Sequence, residues 1–420
     1  MRTDSARTFA LTLLAVAAPI PAWATDGYFS QGFGVKAQGQ AGVALAWSQD
    51  ALAAASNPAG TLDVGDRIDL GLTWFSPKRS AQIEGNAFGA DASYSGNGKR
   101  NFWLPEFGYS KRLSDDLAWG VAVYGNGGMN TDYPANPYSR FGATGAAGVN
   151  LEQLFVSPSV AWKLSAVNNV GLALNLAYQR FSAKGIGLFS GFSATPSNVS
   201  DRGNDSSTGV GFRLGWTGKV SESVTLGASW ASKVHGKFSK YSGLFADGGR
   251  FDVPESYGVG IKLQPDAQWS FGADYQHIRY SAVAAVGDSL AVLLQGVPLG
   301  ASNGPGFGWR DVNVYKLAIS HRVTQALELR AGFSHNSQPV PNDQTFFNVL
   351  APGVVQQYWS IGATLHQQGD EISAFVGFAP AHTVRGQGSI PPGNPPGGFG
   401  GGNANVSLKE TLVGLAYAWK

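Results

Sequence analysis

Apolar and polar residues alternate with a period of two along most of the chain beyond residue 66. In residues 67–75 every second side chain is large and apolar, and residues 117–124, 170–178 and 210–216 repeat the pattern. Such alternation is typical of a strand with one face in an apolar environment. Similar runs continue to residue 419 and predict fourteen strands, which begin at residues 67, 102, 117, 151, 170, 210, 224, 256, 269, 314, 327, 358, 372 and 406.

The connections between these strands alternate between short and long. Short turns occur at 114–116, 165–169, 220–223, 264–268, 324–326 and 367–370. Long loops occur at 79–101, 127–150, 187–206, 237–249, 281–309, 337–354 and 381–403. A transmembrane β-barrel has this arrangement, with short turns in the periplasm and long loops outside, whereas a soluble sandwich has no reason to alternate.

Composition supports a barrel. Only 14% of residues are charged, against about 25% in soluble domains. Aromatic residues are abundant, and those at strand ends, including Phe75, Trp216, Tyr358 and Trp419, suit interfacial girdles. We therefore expect an all-β fold, a 14-stranded antiparallel transmembrane β-barrel in the outer membrane of a Gram-negative bacterium, in contact with lipid and lipopolysaccharide.

Two further counts exclude other classes. The chain has no cysteine, so a disulfide framework is ruled out. Its 30 basic residues are balanced by 28 acidic ones, which gives no basic patch for nucleic acid.

The first residues resemble an export signal. Arg2 and Arg7 precede or flank an apolar stretch, and Ala22-Trp23-Ala24 offers small residues for cleavage. A membrane anchor is the alternative, but residues 9–24 fall short of the roughly 20 apolar residues that span a bilayer. We predict a signal peptide at residues 1–24.

Residues 25–65 show no strand alternation. A short helix is expected within 48–56 and should end at Asn57, because a residue before proline disfavours the α conformation. Asn57, Pro58, Ala59 and Gly60 then form a tight turn before the first strand. We predict a plug, or hatch, at 25–65 inside the lumen of a barrel at 66–420.

Five stretches resemble the FadL/TodX (OmpP1) family of outer-membrane transporters. They are SNPAG (56–60), VSPSVAWKLS (156–165), VTLGASWASKVHGKFS (224–239), FDVPESYGVGIKL (251–263) and LELRAGFSHNSQPVPND (327–343). The resemblance implies a monomer without cofactors that takes up hydrophobic small molecules, either long-chain fatty acids or aromatic hydrocarbons. It also implies a hatch, an internal apolar binding pocket and lateral release through a kink in the third strand.

The third strand loses its alternation at Gly125, Asn126, Gly127 and Gly128. Glycines there can adopt positive φ and interrupt strand pairing, so we expect the lateral gate at these residues. The alternative is that they begin the outer loop.

Candidate substrate contacts come from the hatch and from inward-facing cations. Tyr28, Phe29 and Phe33 are aromatic residues that could line a pocket or pack on the wall. Three cations are expected to face the lumen, where each could bind a carboxylate or pair with another charge: Arg213, Lys262 and Arg330.

Other chemistry has little support. The six histidines occupy separate runs, without a pattern typical of catalytic or metal-binding sites. We therefore expect neither catalytic residues nor a metal. A general porin for polar solutes is the other alternative, but an open pore needs no plug. Trp419, one place before the end, would serve as the aromatic signal for the barrel assembly machinery.

Overall fold

A computed structural model describes residues 26–394 and 398–420. The expected signal peptide at 1–24 lies outside the described residues. Within the described parts, no helix is both long and apolar enough to cross a membrane.

Fifteen strands form one antiparallel sheet, and fourteen of them close into a barrel. Each barrel strand pairs with the next, and the last strand pairs with the first from Ile68↔Trp419 to Glu84↔Asn403. The second strand is a short addition that pairs only with the first, beyond the long-loop end of the wall. The strands are β1 (Arg67–Glu84), β2 (Ala92–Ser95), β3 (Phe102–Ser114), β4 (Leu117–Asn130), β5 (Gly148–Ser165), β6 (Asn168–Lys184), β7 (Asp205–Ser221), β8 (Val224–Ala231), β9 (Ser256–Leu263), β10 (Trp269–Ile278), β11 (Val312–Arg322), β12 (Leu327–Asn336), β13 (Gln357–Gln367), β14 (Asp370–Val384) and β15 (Asn403–Trp419).

The α-helices are single turns in the N-terminal segment and the long loops. They are α1 (Val35–Gln38), α2 (Ala53–Ser56), α3 (Thr61–Val64), α4 (Ala246–Gly249), α5 (Ala284–Gly287), α6 (Ala291–Leu294) and α7 (Thr345–Asn348). As expected, the helix before Asn57 ends at Ser56, and Pro58–Gly60 forms a 3-10 turn.

The predicted alternation is confirmed along the wall. In β6, Leu172, Leu174 and Leu176 are 39 to 43% exposed on the outer face, while Ala173 and Asn175 between them are buried. The outer face is therefore apolar and suited to lipid, and the inner face carries small or polar side chains.

Several strands are longer than predicted, and two aromatic assignments are wrong. β1 continues to Glu84 and β7 begins at Asp205, because backbone pairing continues beyond the segments in which large apolar side chains alternate. Phe75 and Tyr358 are only 1% exposed, on the inner face, so they do not belong to a girdle in contact with lipid.

Long loops bury aromatic side chains over the lumen. Tyr138 packs edge to face against both Phe189 and Phe346, and the ring centroids are 5.4 Å apart in each pair. Phe399 from the last loop joins this group, 5.3 Å from Phe346. The long-loop end thus carries an apolar cover.

Candidate functional site

The N-terminal segment, residues 26–65, packs against the inner wall of the barrel. Asn57 is fully buried, and its Nδ2 donates to Leu45 O (2.6 Å) within the segment and to Trp216 O (2.9 Å) on β7. Its Oδ1 accepts from Ala59 N (3.2 Å). The Asn57 side chain therefore holds the turn at Pro58 and fixes it to the wall.

Glycines on the inner wall allow this close approach. A Cβ atom added at Gly171 would lie 2.4 Å from Ala59 N, and one at Gly215 would lie 2.0 Å from Asn57 Oδ1. The same holds all around the lumen, where an added Cβ would come within 2.0 to 3.1 Å of the N-terminal segment. We call these residues the glycine belt: Gly108, Gly171, Gly215, Gly227, Gly258, Gly272, Gly332 and Gly362.

Carboxylates of the wall accept hydrogen bonds from the backbone of the segment. Asp274 Oδ2 accepts from Ala44 N (2.8 Å) and Leu45 N (3.0 Å), and Asp69 Oδ2 accepts from Ala51 N (2.9 Å). Buried N–H groups need hydrogen-bond partners, and the backbone here forms no regular secondary structure. The wall carboxylates supply the acceptors that these N–H groups would otherwise lack.

The first residues of the segment contact β4 at the predicted kink. Ser30 N donates to Asn126 O (2.9 Å), Ser30 Oγ donates to Gly125 O (3.0 Å), and Gly128 N donates to Tyr28 O (2.9 Å). Gly127 has φ 155°, and a Cβ there would lie 1.9 Å from Tyr28 O. The kink is therefore shaped to receive the chain at Tyr28–Ser30.

The kink coincides with a loss of pairing in the wall. β3 pairs with β4 only from Phe107↔Val123 to Ser114↔Leu117, and the β4–β5 register shifts between Gly125 and Gly127. Beyond Val123, β4 pairs with β5 but not with β3 among the described residues, whereas β3 up to Glu106 pairs with β1. The β3–β4 pairing therefore has a gap toward the long-loop end.

A buried ion pair and a tyrosine hold the segment at this place. Lys316 Nζ lies 3.1 Å from Asp26 Oδ2 and donates to Gln31 O (2.7 Å). The Tyr280 hydroxyl donates to Asp26 O (2.6 Å) and accepts from Tyr28 N (3.1 Å). Burial raises the pKa of the Asp26 carboxyl, and Lys316 partly offsets the rise.

A small hollow lies between this part of the segment and the wall. Phe29, Phe33, Asn126 and Arg213 line it, together with Lys316, and its volume is about 40 Å³. Phe33 also packs on Tyr124 of β4, with ring centroids 4.5 Å apart. The structure thus brings together three of the predicted contact residues beside the predicted gate.

The predicted cations do not form one cluster. Arg213 Nη1 donates to Ser56 O (3.3 Å) in the hollow. Lys262 lies over the Trp47 ring (5.5 Å) and donates to Gln264 Oε1 (2.9 Å) next to a short turn.

The third predicted cation, Arg330, also lies apart from the hollow. It pairs with Glu328 (3.2 Å), and its Nη1 donates to Thr364 Oγ1 (2.7 Å). The described residues contain no group of three His, Cys, Asp or Glu side chains placed to hold a metal ion.

Sequence reasoning missed Asp274, Lys316 and Tyr280. The first two are charged residues at inward-facing positions of predicted strands, so the alternation that identified Arg213 also indicates them. Tyr280 follows β10 in a long loop, and no local pattern relates it to residue 26.

A chain with a closed fourteen-stranded barrel, an apolar outer surface and a filled lumen belongs to the class of outer-membrane β-barrel proteins. The family model for the outer membrane protein transport protein family (OMPP1/FadL/TodX) matches residues 22–389. The chain belongs to this family, and its location is the outer membrane. Searching curated protein sequences gives no match.

Solved structures show the same fold at low sequence identity. A Pseudomonas aeruginosa FadL homologue has 16% identity and a TM-score of 0.69 over 94% of this chain and 99% of that chain. The P. putida toluene transporter TodX has 15% identity and a TM-score of 0.65, with coverage of 93% and 99%. The Ralstonia pickettii toluene transporter TbuX has 18% identity and a TM-score of 0.62, with coverage of 93% and 98%.

Proposed function

We propose that this protein is a channel through which hydrophobic small molecules, aromatic hydrocarbons or long-chain fatty acids, enter across the outer membrane. Family membership supports transport, and two structural neighbours are described as toluene transporters. The aromatic cover over the lumen offers incoming apolar molecules a compatible surface.

The gap between β3 and β4 is the observation that carries the proposal. A substrate that leaves there enters lipid and stays out of water. Release into the periplasm would expose the apolar surface of the substrate to water, at a free-energy cost of about 25 cal/mol per Å². The gate at Gly125, Asn126, Gly127 and Gly128 therefore releases substrate sideways.

The N-terminal segment acts as the hatch that closes this route. The hollow next to the gate measures about 40 Å³, whereas binding pockets for small molecules measure roughly 300 to 1,000 Å³. Passage therefore requires the segment to move, and residues 26–33 are the part that lies across the gap.

Side chains around the hollow provide the binding surface. Phe29 and Phe33 offer apolar faces, and the Arg213 guanidinium can meet a polar end group. Lys262 and Arg330 stay predictions, since both side chains have partners in the wall or the segment.

A disulfide tests whether the segment must leave the kink. Ser30→Cys with Asn126→Cys places two thiols on adjacent pairing positions in a chain without native cysteine. Uptake of toluene, and of a long-chain fatty acid, should fall to background under oxidation and return with reductant. The matched control is Thr383→Cys with Ser407→Cys, a cross-strand pair far along the chain whose hydroxyls are 3.1 Å apart.

Two outcomes contradict the proposal. Full uptake with the Ser30–Asn126 disulfide formed would exclude movement of the segment as a requirement. A large, steady ohmic conductance in a planar bilayer would indicate a porin for polar solutes.

A further inference from the structure

A second hollow lies on the long-loop side of the kink. Its lining is mainly apolar, with Phe75, Met129 and Leu408 among the side chains, and also includes Arg79 and Glu410. Its volume is about 30 Å³, room for about one water molecule.

Two buried charged groups in this lining each have one atom without a hydrogen-bond partner. Arg79 is 3% exposed and Glu410 is 2% exposed, yet Arg79 Nη1 and Glu410 Oε2 have no hydrogen-bond partner among the described residues. Arg79 Nε and Nη2 are already directed to Gly96 O (3.3 and 2.9 Å). An additional acceptor, Asn130 Oδ1, lines the same hollow without a partner.

Strand register explains why the two charges face the same space. Pro77 of β1 stands opposite Glu410 of β15, and Arg79 follows Pro77 by two residues on the same face. Diagonal neighbours of this kind are within reach of long side chains. Leaving a buried donor and acceptor unpaired is costly, so a polar group between them stabilises the site.

A hydroxyl group has the required chemistry. It carries one donor, which can bind Glu410 Oε2, and acceptor lone pairs, which can bind Arg79 Nη1–H. A hydrocarbon satisfies neither atom. A carboxylate brings no donor for Glu410 Oε2 and places further acceptor oxygens beside it.

We propose that this hollow receives the hydroxyl group of a neutral hydrophobic compound, such as a phenol or an alcohol, whose large apolar part is accommodated when the hatch moves. The inference rests on the proposed function and names its preferred substrate class. Gly27 and Gly128 also line the hollow, so a molecule bound there lies beside the hatch and the gate.

Three ligands with the same ring test the proposal: toluene, 4-methylphenol and 4-methylbenzoate. Binding to the purified full chain in detergent is measured by calorimetry at about neutral pH, where 4-methylphenol is uncharged. We expect 4-methylphenol to bind about tenfold more tightly than toluene, since it pairs both buried groups. 4-Methylbenzoate should bind more weakly than 4-methylphenol.

Variants assign the preference to the site. Glu410→Leu removes the acceptor and should abolish the preference for 4-methylphenol while toluene still binds. Glu410→Gln keeps an acceptor and should retain most of the preference. Lys409→Gln is the control on the neighbouring residue, whose side chain lies on the other face over Phe378 (5.1 Å), and should change nothing. Heat-modifiable gel migration verifies that each barrel is folded.

The outcomes separate the two proposals. Equal binding of toluene and 4-methylphenol, or a preference unchanged in a folded Glu410→Leu barrel, overturns the hydroxyl site but leaves the channel intact. Tightest binding of 4-methylbenzoate overturns it in favour of an acid site. Failure of all three ligands to bind, together with absence of toluene uptake, would overturn the proposed function itself.

Discussion

The two ends of the N-terminal segment are attached to the barrel in different ways. Around Asn57–Gly60 the attachment is mainly steric, because atoms of the segment fill the spaces that Gly171 and Gly215 leave open, and Asn57 adds a hydrogen bond to Trp216 O. At Asp26–Ser30 it is made mainly of hydrogen bonds to a kinked strand and one buried ion pair, with a single close approach at Gly127. A steric fit resists displacement in every direction, whereas a few polar contacts can be exchanged for others. The comparison indicates an anchored end and a movable end.

The largest expected effect comes from Lys316→Met, which should release the movable end. It leaves the Asp26 carboxylate buried without its partner, a loss of about 3–5 kcal/mol. Hydrogen exchange at the amides of Tyr28 and Gly128 should accelerate strongly, while exchange at Ala59 should not. The exposed Lys78→Met serves as control, and equal acceleration at both ends would remove the distinction between them.

Asn57→Ala should loosen the anchored end by about 2–3 kcal/mol, since two carbonyl groups lose their donor. Exchange at Ala59 and Gly60 should accelerate, and the barrel should become leaky to small polar solutes in liposome swelling. Asn57→Asp, which keeps the acceptor for Ala59 N, should be equally leaky; an intact seal in both variants would contradict an anchor at this turn.

Gly171→Ala measures the steric fit directly. The added Cβ meets backbone atoms of Pro58 and Ala59 at 2.4 Å, so the segment or strand must shift at about 1–2 kcal/mol. A lower thermal midpoint of the folded barrel is expected. Gly191→Ala is the matched control, because nothing lies within 4 Å of an added Cβ there.

The smallest effect concerns pH. Burial, with a contribution from Asp69, raises the pKa of Asp50 from 3.8 to about 6. A carboxyl whose pKa is raised by docking stabilises the docked segment fully when the pH is below the ordinary pKa of the carboxyl. That contribution is lost as the pH rises through about 6. The segment should therefore be held more tightly at about pH 4.5 than at about pH 7.5.

The test is exchange at Leu52 N, which donates to Asp50 Oδ1 (3.0 Å), corrected for the intrinsic pH dependence of exchange. Asp50→Asn mimics the neutral form and should remove the pH dependence. A wild-type segment that loosens on acidification would reverse the sign and contradict the assignment.

Local patterns predicted the wall well and the interior poorly. Alternation in a strand such as β6 follows from its two environments, so Leu172 and Leu174 were placed correctly from neighbours in the sequence. The kink at Gly127 was also predicted, since glycine runs interrupt pairing. By contrast, nothing in the sequence distinguishes Gly171 from other strand glycines. A glycine is needed there because Ala59, more than a hundred residues earlier, packs against it.

The candidate site shows the same division. Arg213 and Phe33 were identified by residue type and face, but the pairing of Lys316 with Asp26 depends on where the segment docks. Arg79 and Glu410 line the same hollow only because β15 closes on β1, and that register cannot be derived from either strand alone.

The glycine belt also constrains how the molecule is assembled. Its members come from strands throughout the chain, from Gly108 on β3 to Gly362 on β13, and all of them enclose residues that precede β1. Because the segment fits the closed ring of strands this closely, we expect it to dock before β15 pairs with β1. The segment would then serve as the template on which the wall is completed.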